Sequence, residues 1–336
     1  MKRAPGIGFS GEQGRMADRP TLRAVHFANC GAEVGLGHLR RSLVLASALH
    51  ARGVACDFYT PEGAGADLAM MQGFATADWP VSGDLPAADL LIADSYDLPL
   101  DLQQRWRGRY GLRVVIDDLA DRAIDGDLVL NGNIFAETLS YSCPSLLGPA
   151  YALIDPAFHA ARRAASAVPK RVLIAFGGSD DGHIGQALAL LLLQQSPEVR
   201  VDLVTSPLHK DIAVLADMPS NRLTVHHGAD MPALMAQACL YLGGAGTMVL
   251  EAMAAGRPMV VAALADNQHA NVRALQEAGV PAFDRISAEQ MVDAALHILS
   301  GGVTPDLSMR LTEGGAERAA DAILSALRKR REGEDS

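Results

Sequence analysis

The 336-residue sequence predicts an α/β protein of two lobes, each built on a parallel sheet, with a cleft between them. Three observations predict it. Short apolar runs alternate with helical periodicities along nearly the whole chain, as β-α-β crossovers require. The alternation comes in two series, separated by one stretch, 156–169, where the strand signal lapses and Ala, Arg and Ser dominate. Polar or glycine-rich residues follow the ends of the strands, which is where α/β proteins place their sites.

The first series opens with an apolar strand at Ala24–Ala28 and a glycine-punctuated loop, Gly31 to Gly37. Leu39, Leu43, Ala46 and Leu49 then recur at helical spacing within Leu39–Arg52, and Gly53 supplies the stop. Val54–Tyr59 reads as the second strand, and Leu90–Ala93, Arg113–Ile116 and Leu128–Leu130 as further ones. The last three end in Asp94-Ser95-Tyr96, Asp117-Asp118 and Asn131-Gly132-Asn133. The second series runs strand Arg171–Phe176, loop Gly177-Gly178-Ser179, helix His183–Gln194, strand Val201–Thr205 and a short strand near Leu223–His226. Helix Met231–Ala238, strand Cys239–Leu242, helix Met248–Ala255, strand Pro258–Ala262 and a helix through Asn271–Ala278 follow, and a last amphipathic helix spans Ala316–Lys329. Two such series imply two Rossmann-like lobes, 21–155 and 170–315, joined by a linker at 156–169. Residues 316–336 form a C-terminal helix and charged tail, and residues 1–20 read as a disordered extension.

Composition narrows the function. With 49% hydrophobic residues the chain can bury a core, and with 5% aromatic residues that core is aliphatic. A net charge of −10 argues against a protein that grips nucleic acid by many phosphate contacts. It leaves room for one small anion held by backbone N–H groups at a helix start. The four cysteines are widely spaced with no C-x-x-C pair, so neither a thiolate zinc site nor a disulfide framework is expected. His226-His227 lacks a third metal ligand at sensible spacing. No apolar run approaches the roughly 18–20 residues that span a bilayer. No secretory h-region is present either, and the expected compartment is the cytoplasm.

Two turns stand out. Gly35-Leu36-Gly37-His38-Leu39-Arg40-Arg41 joins a strand to a helix, yet it is neither a dinucleotide fingerprint nor a Walker loop. The positive end of the helix dipole at His38 favours a neutral imidazole, which can take up a proton. Arg41, three residues on, shares its face. The alternative is a polar cap on an ordinary helix. Gly243-Gly244-Ala245-Gly246-Thr247 opens another helix, where close backbone approach and free amides suit a phosphate. Glu251, one turn in, could accept a ribose hydroxyl, or be a surface side chain beside a tight turn. Gly178, Ser179 and Asp180 suit either an anion contact or a helix cap. Asn267-Gln268 could read a base or sugar edge, or cap the following helix. Asp94, Tyr96, Asp117, Asp118, Asn131 and Asn133 lie at strand ends, where a carboxylate could orient a histidine or bind sugar hydroxyls; each singly could equally be a turn residue.

Together these stretches, with Gly148-Pro149-Ala150-Tyr151-Ala152-Leu153-Ile154, resemble from about Arg23 to about Gly279 the UDP-sugar hydrolases of pseudaminic acid biosynthesis, which act on UDP-2,4-diacetamido-2,4,6-trideoxy-β-L-altropyranose, and related flagellin-glycosylation proteins. The chain departs from that family at Phe27, Ala28 and Asn29, where an Arg-x-Asp group is usual, and at Asp155-Pro156. The resemblance implies a GT-B architecture, with the sugar on the N-terminal lobe and UDP on the C-terminal lobe. It implies metal-independent, cofactor-free hydrolysis of the anomeric C–O bond of a UDP-linked amino-deoxy sugar, with His38 as base on water and Tyr96 and Asp94 beside it. It places Gly35, Gly37, Arg41, Asp117, Asn131, Asn133, Gly178, Ser179, Gly246, Thr247, Glu251, Asn267 and Gln268 around the UDP-sugar substrate. The implied partners are that substrate and other enzymes of the sugar pathway, with no nucleic acid and no membrane insertion. Two other readings remain: an inverting GT-B glycosyltransferase using a UDP-sugar donor, and a non-catalytic nucleotide-sugar sensor.

Overall fold

The computed structural model describes residues 22–31, 34–61, 63–78, 85–164, 167–177, 183–205 and 221–334. The expected extension at 1–20 and the Gly178, Ser179 and Asp180 positions lie outside them.

The first sheet has seven parallel strands: β1 (Leu22–Ala28), β2 (Val54–Thr60), β3 (Ala75–Asp78), β4 (Ala88–Asp94), β5 (Tyr110–Ile116), β6 (Leu128–Asn131) and β7 (Ser145–Leu147). Their order is β3-β2-β1-β4-β5-β6-β7. Helices α1 (Gly37–His50), α2 (Ala64–Met71) and α3 (Leu100–Arg105) belong to this half. The second sheet has six parallel strands: β8 (Arg171–Ala175), β9 (Arg200–Thr205), β10 (Leu223–His227), β11 (Leu240–Gly244), β12 (Met259–Ala262) and β13 (Ala282–Phe283). Its order is β10-β9-β8-β11-β12-β13. Around it lie α4 (Pro156–Ala164), α5 (His183–Gln195), α6 (Met231–Gln237), α7 (Met248–Ala254), α8 (His269–Glu277) and α9 (Ala288–Leu299). The long α10 (Gly315–Glu334) closes the chain.

Helices cover both faces of each sheet, so the inner strands are buried on both sides and read as continuous apolar runs such as Leu90-Leu91-Ile92-Ala93. Strands as short as β7 and β13 carry too little periodicity to be seen in sequence.

One segment differs from its expected character. Residues 156–164 of the stretch read as a linker form α4, which starts at Pro156, a residue suited to a first helical turn. Its Phe158 and Ala161 are buried in the second lobe's core. The expected C-terminal helix, α10, runs back to the first lobe and buries Ala319, Ala320, Ile323 and Leu327 against α1 and β5, while its charged end from Arg328 onward stays exposed. Arg330 pairs with Asp127 at 2.7 Å, and Arg331 pairs with Asp89. Among the described residues no helix is long and apolar enough to cross a membrane.

Both sheets reverse their strand order once, between β1 and β4 and between β8 and β11. At such a switch point the connections leave in opposite directions and open a crevice at the strand C-termini. The two crevices face each other.

Candidate active site

A cleft lies between the lobes. Its first-lobe wall carries 34–38, Arg40 and Arg41 after β1, Tyr96 after β4, Asp118 after β5, and Asn133 and Phe135 after β6. Its second-lobe wall carries residues 175–177, Thr205, 228–229, Met231, Gly244, 246–248 and Glu251, with Asn267, Gln268 and Asn271 after β12. Every one lies at or just beyond the C-terminal end of a parallel strand. The two glycine turns meet across the gap: a Cβ built on Gly37 would sit 3.4 Å from Thr247 Oγ1.

The first-lobe wall is a network of charges. Pairing of β1 with β4 puts Ala28 beside Asp94, and α1 crosses above them. Gly35 turns the chain into α1 with φ of 79°, a left-handed conformation that glycine adopts without strain. His38, buried one residue into α1, has its Nδ1 2.6 Å from Asp94 Oδ1. Arg41 Nη2 also lies 3.1 Å from Nδ1, but the carboxylate is nearer and can only accept, so Nδ1 donates to Asp94 and Nε2 is left with its lone pair. Arg41 grips the same carboxylate as a fork, Nε to Oδ2 at 2.6 Å and Nη2 to Oδ1 at 2.7 Å. Asp94 is completely buried, which by itself would raise its pKa. The charges of Arg41 and His38, with the hydrogen bonds they donate, outweigh burial and hold the carboxyl well below the usual range.

Arg41 Nη1 reaches both oxygens of Asp118 at 2.8 Å. Asp118 Oδ1 also accepts from Asn133 Nδ2 at 2.6 Å, and Oδ2 from the Tyr96 hydroxyl. Burial pushes Asp118 up, but the Arg41 charge and then the Tyr96 hydrogen bond bring it below its ordinary value. Burial, and then the Asp118 charge, drive the Tyr96 phenol far upward, so it keeps its proton. The Tyr96 ring stands edge-on to the His38 imidazole, centroids 4.6 Å apart.

The structure separates residues that sequence had grouped. Asp117 does not line the cleft: its Oδ2 accepts from the Leu119 and Ala120 amides and from the Tyr141 hydroxyl, and it pairs with Arg122 at 3.0 Å. Adjacent residues leaving a strand point opposite ways, which puts Asp118 rather than Asp117 on the cleft. Asn131 also stays beneath the wall, its Oδ1 bonding Asn133 Nδ2 at 2.9 Å and its Nδ2 the Asp118 carbonyl at 3.1 Å. Asp94 reaches the cleft only through His38. Arg40 and Asn271 were absent from the expected site. Asn271 Nδ2 pins the Ala245 carbonyl at 2.9 Å and so holds the glycine turn. Its position four residues beyond Asn267, one helical turn along, was the available signal.

The second-lobe wall is built differently. Gly243 is tightly enclosed: a Cβ there would lie 2.1 Å from the Ala175 carbonyl oxygen. Only glycine lets β11 pass so close to β8, and the chain then turns into α7. The first amides of a helix have no intrahelical acceptor, and those of 246–248 belong to residues on the cleft. Glu251 is lifted to about 7, chiefly by burial, with Arg40 drawing it down and Asp155 pushing it up. Gln268 Oε1 accepts from the Leu264 amide at 3.0 Å, which leaves its Nε2 as the free arm. Among the described residues, Asn267 Oδ1 is buried with no hydrogen-bond partner.

No family model and no curated protein matches the chain. Solved structures match nearly all of it. A glycosyltransferase of kitacinnamycin aligns at a TM-score of 0.62 and 17% identity, covering 91% of this chain and 99% of its own. MurG of Acinetobacter baumannii aligns at 0.59 and 17%, over 90% and 99%. UGT89C1 of Arabidopsis thaliana, complexed with UDP, aligns at 0.61 and 13%, over 91% and 100%. The chain has the two-lobed GT-B fold. The neighbours whose descriptions name an activity, those of kitacinnamycin, spinosyn and calicheamicin, are glycosyltransferases, and they overturn the expected hydrolase of the pseudaminic acid type. Nothing found supports the flagellin-glycosylation context. The physical reason for the miss is plain: a base at a helix start and a glycine turn for a diphosphate serve either reaction. The difference is whether water or an alcohol stands beside the base, and the motifs carry no information on that.

Proposed function

We propose that the chain is an inverting glycosyltransferase that uses a UDP-sugar donor. The observation that carries this reading is the His38–Asp94 pair, which leaves Nε2 as the imidazole's proton acceptor on the cleft wall opposite the glycine turn at Gly246-Thr247.

In this reading the acceptor hydroxyl lies against the first lobe, residues 21–155, and the donor against the second, residues 170–315. His38 Nε2 takes the hydroxyl proton as the oxygen attacks the anomeric carbon. The bond from that carbon to the diphosphate oxygen breaks, and UDP leaves with the electron pair. Attack from the side opposite the leaving group inverts the configuration. The imidazolium formed keeps its Nδ1–H on the Asp94 carboxylate, which stabilises the positive charge. Amides of Leu36 and Gly37 and of the Gly246–Met248 turn receive the diphosphate charge, with Arg40 beside them. Glu251 accepts from the ribose hydroxyls, and Phe176, Thr205 and Gly228 wall the base end. Asn267 and Gln268 address the sugar. The partnerless Asn267 Oδ1 supports this, because a buried acceptor left unbonded costs about 1–3 kcal/mol, which a sugar hydroxyl would relieve.

The test is UDP release from a panel of UDP-sugars, with and without candidate alcohol acceptors. Acceptor-dependent release with the sugar on the acceptor is the expected result. Equal release without any acceptor overturns the reading.

A further inference from the structure

Building on the proposed transfer reaction, we infer that Asp118 is a second positioning carboxylate for the base: through Arg41 and Tyr96 it fixes His38 from two sides. Both Asp118 oxygens chelate Arg41 Nη1 at 2.8 Å, and each takes one further donor, Asn133 Nδ2 on Oδ1 and the Tyr96 hydroxyl on Oδ2. Its lone pairs are thereby committed within the protein. Although Asp118 lines the cleft, it has no acceptor capacity left for a sugar hydroxyl. What it does is immobilise its neighbours. The Arg41 guanidinium, anchored at Nη1, presents its other edge to Asp94 at 2.6 and 2.7 Å. Asp94 in turn holds His38 Nδ1 at 2.6 Å. On the other flank Asp118 locks Tyr96, whose ring stands against the imidazole. The imidazole can then neither flip to present Nδ1 nor tilt away from the cleft.

Charge gives the arrangement a second consequence. The ionised groups around His38 are Arg41 from α1, Asp94 from β4 and Asp118 after β5, with Arg122 farther out over the Tyr96 ring at 5.8 Å. Arg122 is itself paired with Asp117. Arg41, Asp94 and Asp118 together carry one net negative charge, and the proton that His38 takes from an acceptor neutralises it. Without the Asp118 charge the same step would leave a net positive cluster in a buried site, which is disfavoured.

Asp118→Asn keeps the shape and removes the charge. Three measurements on the full chain test the inference. The first is steady-state transfer across pH: kcat should fall about 10- to 100-fold, less than the roughly 10²–10⁴-fold expected for loss of a general base. The acidic limb of the pH–rate profile should move to lower pH. The second is UDP affinity by calorimetry, which should stay unchanged. The third is ¹⁵N NMR of the imidazole in the resting protein. It should show a single Nδ1–H tautomer in the wild type and a mixture in Asp118→Asn. Tyr96→Phe, which cuts one of the two links while preserving packing, should give a smaller loss of kcat with UDP affinity intact. Should Asp118→Asn fail to fold, Tyr96→Phe decides on the same readouts. A kcat and pH profile like the wild type's would overturn the inference, and so would a loss of kcat with the profile and tautomer unchanged. If the wild type transfers to no acceptor, the proposed function fails on its own, and the imidazole tautomer still judges the role of Asp118.

Discussion

The two walls of the cleft solve opposite problems. On the first lobe, His38, Arg41, Asp94, Tyr96, Asp118 and Asn133 satisfy one another in a closed network, already arranged before any ligand arrives. On the second lobe the donors and acceptors stand open: the 246–248 amides, the Glu251 carboxyl and the partnerless Asn267 Oδ1. A catalytic base gains from a geometry that does not need to be assembled during the reaction. A binding wall gains from groups whose cost of exposure is relieved by the ligand itself. Substitutions on the first lobe should therefore damage turnover or the fold, and those on the second should damage donor affinity.

The largest effect should come from His38→Ala. Transfer should fall by about 10²–10⁴-fold while UDP still binds in a calorimeter, since most of the proposed donor-binding groups lie on the other wall. A variant that loses UDP binding as well would erase the division of labour. Next comes Arg41→Ala, which strands two buried carboxylates. Removing one partner of a buried charge network costs about 3–5 kcal/mol, so thermal or denaturant melting should show a clear loss of stability. An undiminished melting temperature would mean that the network is far more hydrated than its burial indicates.

On the other wall the effects should be smaller and specific to the donor. Glu251→Gln removes a charged acceptor worth about 1.5–3 kcal/mol, so UDP affinity should drop roughly 10- to 150-fold with melting little changed. The same residue sets a pH dependence. Its carboxyl lies at about 7 in the free protein, and in the proposed site ribose hydroxyls would bind the ionised form. UDP affinity should rise as pH increases through about 7 and level off above it, and Glu251→Gln should flatten that slope. For the fold itself the sign is reversed. A raised carboxyl adds stability in full only below its unfolded value, and that contribution is lost as pH rises through about 7. Smallest is Asn267→Ala. Stability should stay within about 0.5 kcal/mol, because an unbonded acceptor is removed. Affinity for a UDP-sugar should weaken several-fold and that for UDP not at all, which competition binding would reveal.

What the sequence determined is the local order. Apolar runs such as Ala24–Ala28 and Leu90–Ala93, the helical spacing of Leu39, Leu43, Ala46 and Leu49, and the glycine turns before His38 and Met248 are short-range patterns. They suffice to specify parallel sheets with turns at the strand ends, because strand and helix periodicities are properties of the chain itself. The tertiary structure decided what depends on distant parts meeting. It joined Asp94 to a helix some fifty residues earlier in the chain, turned Asp118 into the cleft and Asp117 away from it, and packed 156–164 as a helix in the second lobe's core. It also brought α10 back onto the first lobe, with Arg330 and Arg331 in ion pairs. Buried charges reveal their purpose only when their partners are known, since a carboxylate out of water persists only where another part of the chain supplies the compensating charge.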